Sequence, residues 1–421
     1  MIKKIVQKFK QLLQGGFWHI FTGTFLNKAI TMISSIVIAR LVDKTQYAYL
    51  SYSDTIFGYV ILFSGLGLTS ALLKVCAGDT DYDQDKSYLH YSIKCGLVFE
   101  IIVCSLVVSV CMLLTLPFEK AKGFILIYSI YPVLYFVYDT VLTYLRAKQF
   151  NKFYAGINLL YSFITCVFGI GFVLLFDAVG IIYARYLTII IIGVICIKKL
   201  SSFLEGSKKT DLDKKLKKNL WIMSLNIVIA NAFSGMMPFN ENLLIGNIIA
   251  DEVVLANFRV AGLFPQMILL VAQAVNVYFF PIVAGLDNEG KNTKKYVIKV
   301  GLLNFAIVLC CTVIGMVFSP LLIILFYGEK YRDAIQISYY LWIMRGLNAG
   351  IRMVPMNMLL AIRKYKFNLV MSIVAFFLQI GLDWYFISTK GIIGVAYGTT
   401  GVYLVTGIIY WVYYLRVADK R

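Results

Sequence analysis

The sequence predicts an all-α integral membrane protein with 12 transmembrane helices, in two parallel-repeat six-helix bundles around a central cleft. Of its 421 residues, 60% are hydrophobic and only 15% are charged, against about 25% charged residues in an ordinary soluble domain. With a mean hydropathy of +0.78, the chain has too little polar surface for a soluble enzyme or a disordered protein.

Twelve apolar stretches reach the length of about 20 residues that the hydrocarbon core requires. The longest loop divides them into two sets of six, which predicts an N-lobe (1–197), a basic cytoplasmic linker (198–218) and a C-lobe (219–421). The stretches are 17–40, 48–73, 92–116, 124–145, 154–176, 179–197, 219–249, 252–284, 296–318, 333–362, 368–387 and 391–415.

The basic residues predict the orientation of the chain. With the N-terminus inside, the inner loops hold 28 of the 40 Lys and Arg residues and the outer loops hold 7. Basic residues accumulate in cytoplasmic loops, so both termini are expected in the cytoplasm. The same bias accounts for the formal charge of +18, and no nucleic-acid partner is expected.

Three segments of the first half recur in the second half in the same order and at a nearly constant offset. Six spans per repeat is an even number, so the two halves share their orientation and are related by an axis along the membrane normal. This architecture is typical of transporters. The matches are LVDKTQYAYL with IADEVVLANF, AKQF with IRKY, and GIIYARYLT with GIIGVAYGTT.

Several motifs carry a family resemblance. They are ARLVDKTQYAYL, LFYGEKYRDA (Leu325–Ala334), KYKFN and STKGIIGVAYGTTGVYL (Ser388–Leu404). With them the chain resembles the polysaccharide flippases of the multidrug/oligosaccharidyl-lipid/polysaccharide (MOP) superfamily, most closely the Wzx-type O-antigen flippases. The resemblance implies a transporter, not an enzyme, that moves undecaprenyl-pyrophosphate-linked oligosaccharides across the bacterial cytoplasmic membrane without a cofactor.

The resemblance also implies partners and one site residue. Membrane lipids, a polysaccharide polymerase and a chain-length regulator are the implied partners of a monomeric protein. Many relatives carry an acid late in the seventh span, where this chain reads Phe239-Asn240-Glu241-Asn242, so a substrate-site role is transferred only loosely to Glu241.

The tenth span places Arg345, Asn348 and Arg352 on one helical face, at spacings of three, four and seven. A charge at mid-bilayer costs about 2.5–3.5 kcal/mol, so such residues face a cavity or a partner. Guanidinium groups bind pyrophosphate oxygens in pairs. Because no acid occurs near them in the same span, we expect both arginines to face the substrate cavity.

Two further basic residues, Lys28 in the first span and Arg259 in the eighth, allow two interpretations. Both could complete the pyrophosphate site with Arg345 and Arg352. Alternatively, Lys28 pairs with Asp54 and Arg259 pairs with Glu241 as structural contacts between helices. The sequence leaves both interpretations open.

Tyrosines recur along the fourth span, with Tyr131 and Tyr135 as candidate sugar contacts. A tyrosine ring has an apolar face and a hydroxyl, which suit a sugar ring. An interfacial aromatic belt with ordinary packing explains the same pattern and is the favoured interpretation for a chain with 29 tyrosines.

Other charged residues lie nearer the ends of their spans. Arg185, Glu100 and Asp383 are expected to extend toward the lipid headgroups. The ninth and twelfth spans lack interior charges and are expected to face lipid.

Four prolines are expected to interrupt or bend spans four, seven, eight and ten. They are Pro132, Pro238, Pro265 and Pro355.

The residues leave two competing functions besides the flippase. A drug or organic-cation antiporter would favour an acidic cavity, whereas the mid-span charges here are mostly basic. A membrane-bound polysaccharide polymerase usually needs a large outer loop or a His/Asp site, and the outer loops here are very short. The two histidines, His19 and His90, are far apart, so no metal site is expected.

Overall fold

A computed structural model describes residues 17–77, 82–206 and 211–418, and every regular element within these ranges is helical. We number the helices α1 to α12 and count an interrupted helix as one. They are α1 (Phe17–Leu41), α2 (Lys44–Val75), α3 (Tyr82–Leu113), α4 (Ala121–Ala147), α5 (Asn151–Phe176), α6 (Val179–Phe203), α7 (Lys214–Ile248), α8 (Glu252–Asn288), α9 (Lys294–Tyr327), α10 (334–361), α11 (Tyr365–Lys390) and α12 (Ile393–Ala418).

Ten of these helices, all except α1 and α10, are long and apolar enough to cross a membrane. Their large apolar side chains are widely exposed, as at Leu106 on α3, Leu174 on α5 and Val317 on α9. Soluble proteins rarely expose apolar surface on this scale, because it would be in contact with water. The chain is therefore a multi-pass membrane protein.

Helix α12 differs from the sequence prediction. We expected it to face lipid, but 56% of its apolar window is buried inside the protein, against 17% for α5. The reason is its tyrosine-rich inner face, on which Tyr403, Tyr410 and Tyr414 are all buried. The prediction for α12 used charge alone and overlooked these residues.

The chain forms two compact units, Met1–Ile229 and Ala230–Arg421, here called the N-unit and the C-unit. The core of the N-unit includes Leu72 and Tyr144, and that of the C-unit includes Met358. The division falls within α7. Part of the predicted linker, residues 207–210, lies outside the described residues.

Each unit uses the same cap at its second helix. The carboxylate of Asp43 accepts a hydrogen bond from the backbone N–H of Thr45 (3.1 Å), and that of Asp251 accepts one from Val254 (3.0 Å). Each acid thereby satisfies a backbone donor at the start of its helix. Both acids belong to the first pair of matched sequence segments.

The turns after α4 and α10 also correspond, as do the turns after α5 and α11. Gln149 and Arg363 have φ of 62° and 64°, and Asp177 and Gly391 have φ of 54° and 65°. These are the left-handed conformations that end a helix and reverse the chain. The two members of each pair are separated by the same offset along the chain.

Glycines allow the close approach of the following helices. A Cβ at Gly180 would collide with the carbonyl of Phe172, and a Cβ at Gly394 would collide with the carbonyl of Phe386. Only glycine fits where the backbones approach so closely. The two glycines are separated by the same offset as the paired turns.

Helix α2 is broken at Ser64–Gly67, where Gly65, Leu66 and Gly67 have φ of 54°, 49° and 77°. The carboxylate of Glu100 on α3, which is fully buried, accepts a hydrogen bond from the backbone N–H of Gly65 (3.0 Å). The side chain of Ser224 donates to the carbonyl of Leu66. Side chains thus satisfy the backbone groups that the break leaves open.

The four prolines have different effects. Pro265 begins a 3₁₀ turn within α8. Helix α4 is interrupted after Tyr128 and resumes at Tyr131, and Pro132 is the second residue of the resumed part. Pro355 follows a π-helix in α10. Helix α7, by contrast, continues through Pro238, so the expected interruption there is absent.

Candidate functional site

The C-unit contains a buried ion pair between α7 and α10. Arg345 donates from Nη2 to Oε2 of Glu241 at 2.6 Å, and the two side chains are only 12% and 2% exposed. A second, longer hydrogen bond joins Arg345 to the hydroxyl of Tyr403 on α12 (3.4 Å). The absence of a nearby acid in its own span, on which the cavity prediction for Arg345 was based, does not leave Arg345 unpaired, because its partner comes from a different helix.

A second buried acid, Asp383 on α11, lies in the same region. The hydroxyl of Thr399 on α12 donates to Oδ2 of Asp383 (2.9 Å), and Gln379 donates to the oxygen of that hydroxyl (3.1 Å). Asp383 therefore receives a hydroxyl donor rather than an ion pair. Tyr403 lies within electrostatic range of four charged side chains of the C-unit, which are Glu241, Asp383, Arg345 and Arg352.

Arg352 differs from the other buried arginines. Its guanidinium donates to the side-chain oxygen of Asn348 (3.3 Å) and lies over the rings of Tyr403 and Tyr410, 5.4 and 5.9 Å from their centroids. Among the described residues it has no carboxylate partner, and its Nε and Nη2 atoms have no hydrogen-bond partner. It is only 5% exposed, so a buried cation with free donors remains available to an anion.

The N-unit contains its own ion pair, which is half-buried. Arg185 on α6 forms a two-point contact with the carboxylate of Asp54 on α2, with Nη2 to Oδ2 at 3.0 Å. Arg185 also donates to the hydroxyl of Tyr128 (2.7 Å). The charges of this pair are satisfied within the unit.

The tyrosines of α4 extend from this pair in a continuous row. Tyr128 stacks on Tyr131 with ring centroids 4.9 Å apart, and Tyr131 is 6.0 Å from Tyr135. The hydroxyl of Tyr131 is hydrogen-bonded to that of Tyr161 on α5 (2.6 Å). Tyr131 is buried, whereas Tyr135 is half-buried.

The structure tests the two structural pairs that the sequence left open, Lys28 with Asp54 and Arg259 with Glu241. Neither proposed structural pair forms, because Asp54 is paired with Arg185 and Glu241 with Arg345. Lys28 is exposed on α1, and Arg259 is half-buried on α8.

Of the nine predicted site residues, the C-unit brings together Glu241, Arg345, Asn348 and Arg352. The N-unit brings Asp54 and Tyr131 together through Arg185 and Tyr128.

The headgroup prediction for three residues is wrong. Glu100 and Asp383 are fully buried, and Arg185 is the partner of Asp54. The sequence reasoning also missed Tyr403 and Tyr410, although their spacing of seven residues on α12 placed them on one helical face.

Within residues 17–77, 82–206 and 211–418, no three His, Cys, Asp or Glu side chains converge as a metal site. The cluster that stands out is instead the one of arginines and tyrosines in the C-unit. Its chemistry suits an anion, because guanidinium donors bind phosphate oxygens in a fixed planar geometry.

Comparison with known proteins identifies the family. Residues 12–286, more than half of the chain, match the family described as polysaccharide biosynthesis protein. The chain belongs to this family. No curated protein sequence matches it.

Several solved structures share the fold of this chain. An inward-facing multidrug-resistance MATE transporter of the MOP superfamily has a TM-score of 0.77, with 16% identity over 93% of this chain and 95% of that one. An outward-facing MATE transporter gives 0.69, with 15% identity over 96% of both chains. The predicted membership of a polysaccharide family is therefore confirmed, and the fold is the one that these MOP-superfamily transporters share.

A third match is informative about polarity. It is a MOP-superfamily transporter from Pyrococcus furiosus, whose binding pocket is described as having reverse polarity, suggesting a different function. Its TM-score is 0.68, with 14% identity over 96% of this chain and 95% of that chain. At such low identity these matches show a common fold.

Proposed function

We propose that the protein is a flippase that moves undecaprenyl-pyrophosphate-linked oligosaccharides, such as O-antigen repeat units for lipopolysaccharide, from the cytoplasmic to the outer leaflet by alternating access. Family membership and the MOP-type fold support a transporter of the polysaccharide branch. The substrate carries a pyrophosphate, which cannot cross hydrocarbon without compensating charge.

The observation that carries this proposal is Arg352. A buried guanidinium without a carboxylate partner is costly in a membrane protein, and intramembrane charges usually mark the path of a substrate. Free donors on Nε and Nη2 suit two oxygens of one phosphate group. An organic cation, the cargo of a drug antiporter, would be repelled by this charge.

The remaining predicted site residues take different roles in this proposal. Arg345 and Glu241 form the structural pair that supports the site, and Asn348 orients Arg352 through its hydrogen bond. Tyr131 and Tyr135 stay candidate sugar contacts.

Lys28, Arg259 and Asp54 also stay proposed substrate-site residues. For Lys28 and Arg259 we propose transient electrostatic contacts along the substrate path. Asp54 would act together with Arg185.

The architecture that we propose has twelve membrane spans in two parallel six-helix repeats, with α1 and α10 included. The matching caps, turns and glycines of the two units, most of them at one common offset along the chain, support this repeat. We further propose a monomer in the bacterial cytoplasmic membrane, acting beside a polysaccharide polymerase and a chain-length regulator.

Both termini are proposed to be cytoplasmic, as the bias of basic residues predicts. Single cysteines introduced at positions 210 and 329 of a cysteine-free chain should then react from opposite sides with a membrane-impermeant reagent, with 210 cytoplasmic. Reaction of both from the same side would contradict the twelve-span orientation.

The function is tested by complementation of a strain that lacks its own flippase. We expect Arg352→Ala to abolish export of the surface polysaccharide at a normal protein level, because it removes the phosphate donors without leaving an acid unpaired. Arg352→Lys should restore export only partly, since an ammonium lacks the planar pair of donors.

The matched control is Arg416→Ala, because Arg416 is exposed in the last turn of α12. A membrane immunoblot reports the level of each variant, and proteoliposomes loaded with a defined undecaprenyl-linked glycan test transport directly. Full export by Arg352→Ala would remove Arg352 from the mechanism.

A further inference from the structure

The π-helix in α10, Asn348–Arg352, begins shortly after Arg345 and ends at Arg352. In a π-helix the backbone bonds run to the fifth residue instead of the fourth, so the regular hydrogen-bond ladder is disturbed. Inside a membrane, carbonyls released from that ladder need partners within the protein.

Two neighbouring helices supply those partners. Asn304 on α9, which is fully buried, donates from Nδ2 to the carbonyls of Ala349 (2.8 Å) and Gly350 (3.3 Å). The indole N–H of Trp411 on α12 donates to the carbonyl of Ile351 (2.9 Å). Three consecutive carbonyls of the π-helix thus accept side-chain hydrogen bonds from outside α10.

Helix α12 packs closely against the backbone of the π-helix. A Cβ at Gly407 would lie 3.0 Å from Cγ2 of Ile351 and 3.6 Å from Cα of Arg352, so this glycine lets α12 approach the π-helix backbone. Tyr403 and Tyr410 lie on the same stretch of α12 and flank the guanidinium of Arg352.

Arg345 and Arg352 both contact Tyr403, but only Arg345 reaches a carboxylate. The side chain of Arg345 donates to Glu241, whereas that of Arg352 lies over the rings of Tyr403 and Tyr410. Arg352 is the last residue of the π-helix, so the backbone of the π-helix carries its guanidinium to the two rings.

We propose that Asn304 and Trp411 are positioning residues that fix the π-helix and thereby hold Arg352 in its anion-binding place. They act through the backbone of α10 and do not touch the substrate. This inference rests on the proposed function, since it assigns the support for the pyrophosphate site.

The test measures binding of inorganic pyrophosphate to the purified full-length protein by calorimetry. Trp411→Phe keeps the aromatic packing and removes the indole donor, and Asn304→Leu keeps the size of the side chain and removes the amide. We expect each to weaken pyrophosphate binding about tenfold, because a displaced Arg352 loses about one of its hydrogen bonds to the anion.

The controls separate positioning from general stability. Trp384→Phe and Asn247→Leu make the same changes at exposed positions on α11 and α7 and should bind as the unmodified protein does. Trp411→Phe should have a lower thermal midpoint than Trp384→Phe, because it leaves the carbonyl of Ile351 unpaired. Binding is therefore compared well below both midpoints, where the protein is folded, so that the lost binding reflects the position of Arg352. Trp411→Phe keeps the test valid if Asn304→Leu fails to fold.

The outcomes distinguish this inference from the proposed function. If Arg352→Ala abolishes pyrophosphate binding while Trp411→Phe and Asn304→Leu bind normally, the positioning role is refuted and the phosphate site stands. If the unmodified protein binds no pyrophosphate, or Arg352→Ala binds it normally, the phosphate site itself is refuted and the positioning role is refuted with it.

Discussion

The N-unit and the C-unit each contain an arginine–carboxylate pair between helices, but they differ in the charges around that pair. In the N-unit, Arg185 contacts Asp54 and Tyr128, and all three side chains are satisfied. In the C-unit, the pair of Arg345 and Glu241 is accompanied by two further buried charged residues, Asp383 and Arg352. The guanidinium of Arg352 keeps two nitrogens without hydrogen-bond partners.

The difference shows where to look for a substrate site in a membrane protein. A buried pair with good geometry joins two helices, and its charges compensate each other. A buried charge without a partner has a cost that the fold must bear for another reason, and substrate binding is such a reason. This criterion favours the C-unit for the proposed anion site, whereas the charges of the pair in the N-unit compensate each other and join α2 to α6.

The largest expected effect comes from breaking the pair of the C-unit. Arg345→Ala leaves Glu241, only 2% exposed, without its cation, and removing one partner of a buried pair costs about 3–5 kcal/mol. We therefore expect little protein in the membrane fraction by immunoblot. Replacing both residues by leucine should restore the level, and Arg332→Ala at an exposed pair is the control. A normal level of Arg345→Ala would show that the pair is not structural.

A smaller effect is expected in the N-unit. Arg185→Ala should lower stability by about 2–3 kcal/mol, because Asp54 keeps 18% exposure and some access to solvent. The thermal midpoint in detergent measures this loss. The double variant Arg185→Leu with Asp54→Leu should recover most of it. If the double variant keeps its stability but loses export, the pair of the N-unit also serves transport.

The smallest effect concerns the hydroxyl of Tyr128. Tyr128→Phe keeps the stacking on Tyr131 but removes the acceptor of the hydrogen bond from Arg185, which is worth about 1 kcal/mol. We expect a slightly lower thermal midpoint and normal export, with Tyr385→Phe at an exposed position as control. A loss of export without loss of stability would contradict the purely supporting role of this hydroxyl.

Much of the fold could be predicted because length and hydropathy alone define the helices. The cap at Asp251 was part of a repeated segment. The third pair of segments was found but matched out of register, since it aligned Gly180 with Gly391, whereas in the structure Gly394 corresponds to Gly180 and Gly391 to Asp177. These features depend on local sequence. They need no knowledge of which helices are neighbours.

The candidate site could be predicted only in part. The arginines of the tenth span were recognised as important, but their partners lie far away in the chain, as the 104 residues between Glu241 and Arg345 illustrate. No periodicity contains that information. Pro355 predicted a disturbance of the tenth span, but not that it takes the form of a π-helix at Asn348–Arg352, just before the proline.

The break in α2 has a consequence for the order in which the chain enters the membrane. Glu100 follows Gly65 by 35 residues, so α2 reaches the bilayer before the acceptor of its open N–H has been synthesised. An unpaired backbone donor in hydrocarbon costs several kcal/mol. This cost favours a sequence of events in which α2 stays out of contact with lipid until α3 has been synthesised. Helices α2 and α3 should therefore pass into lipid as a hairpin, with Glu100 closing the gap as the two are released together.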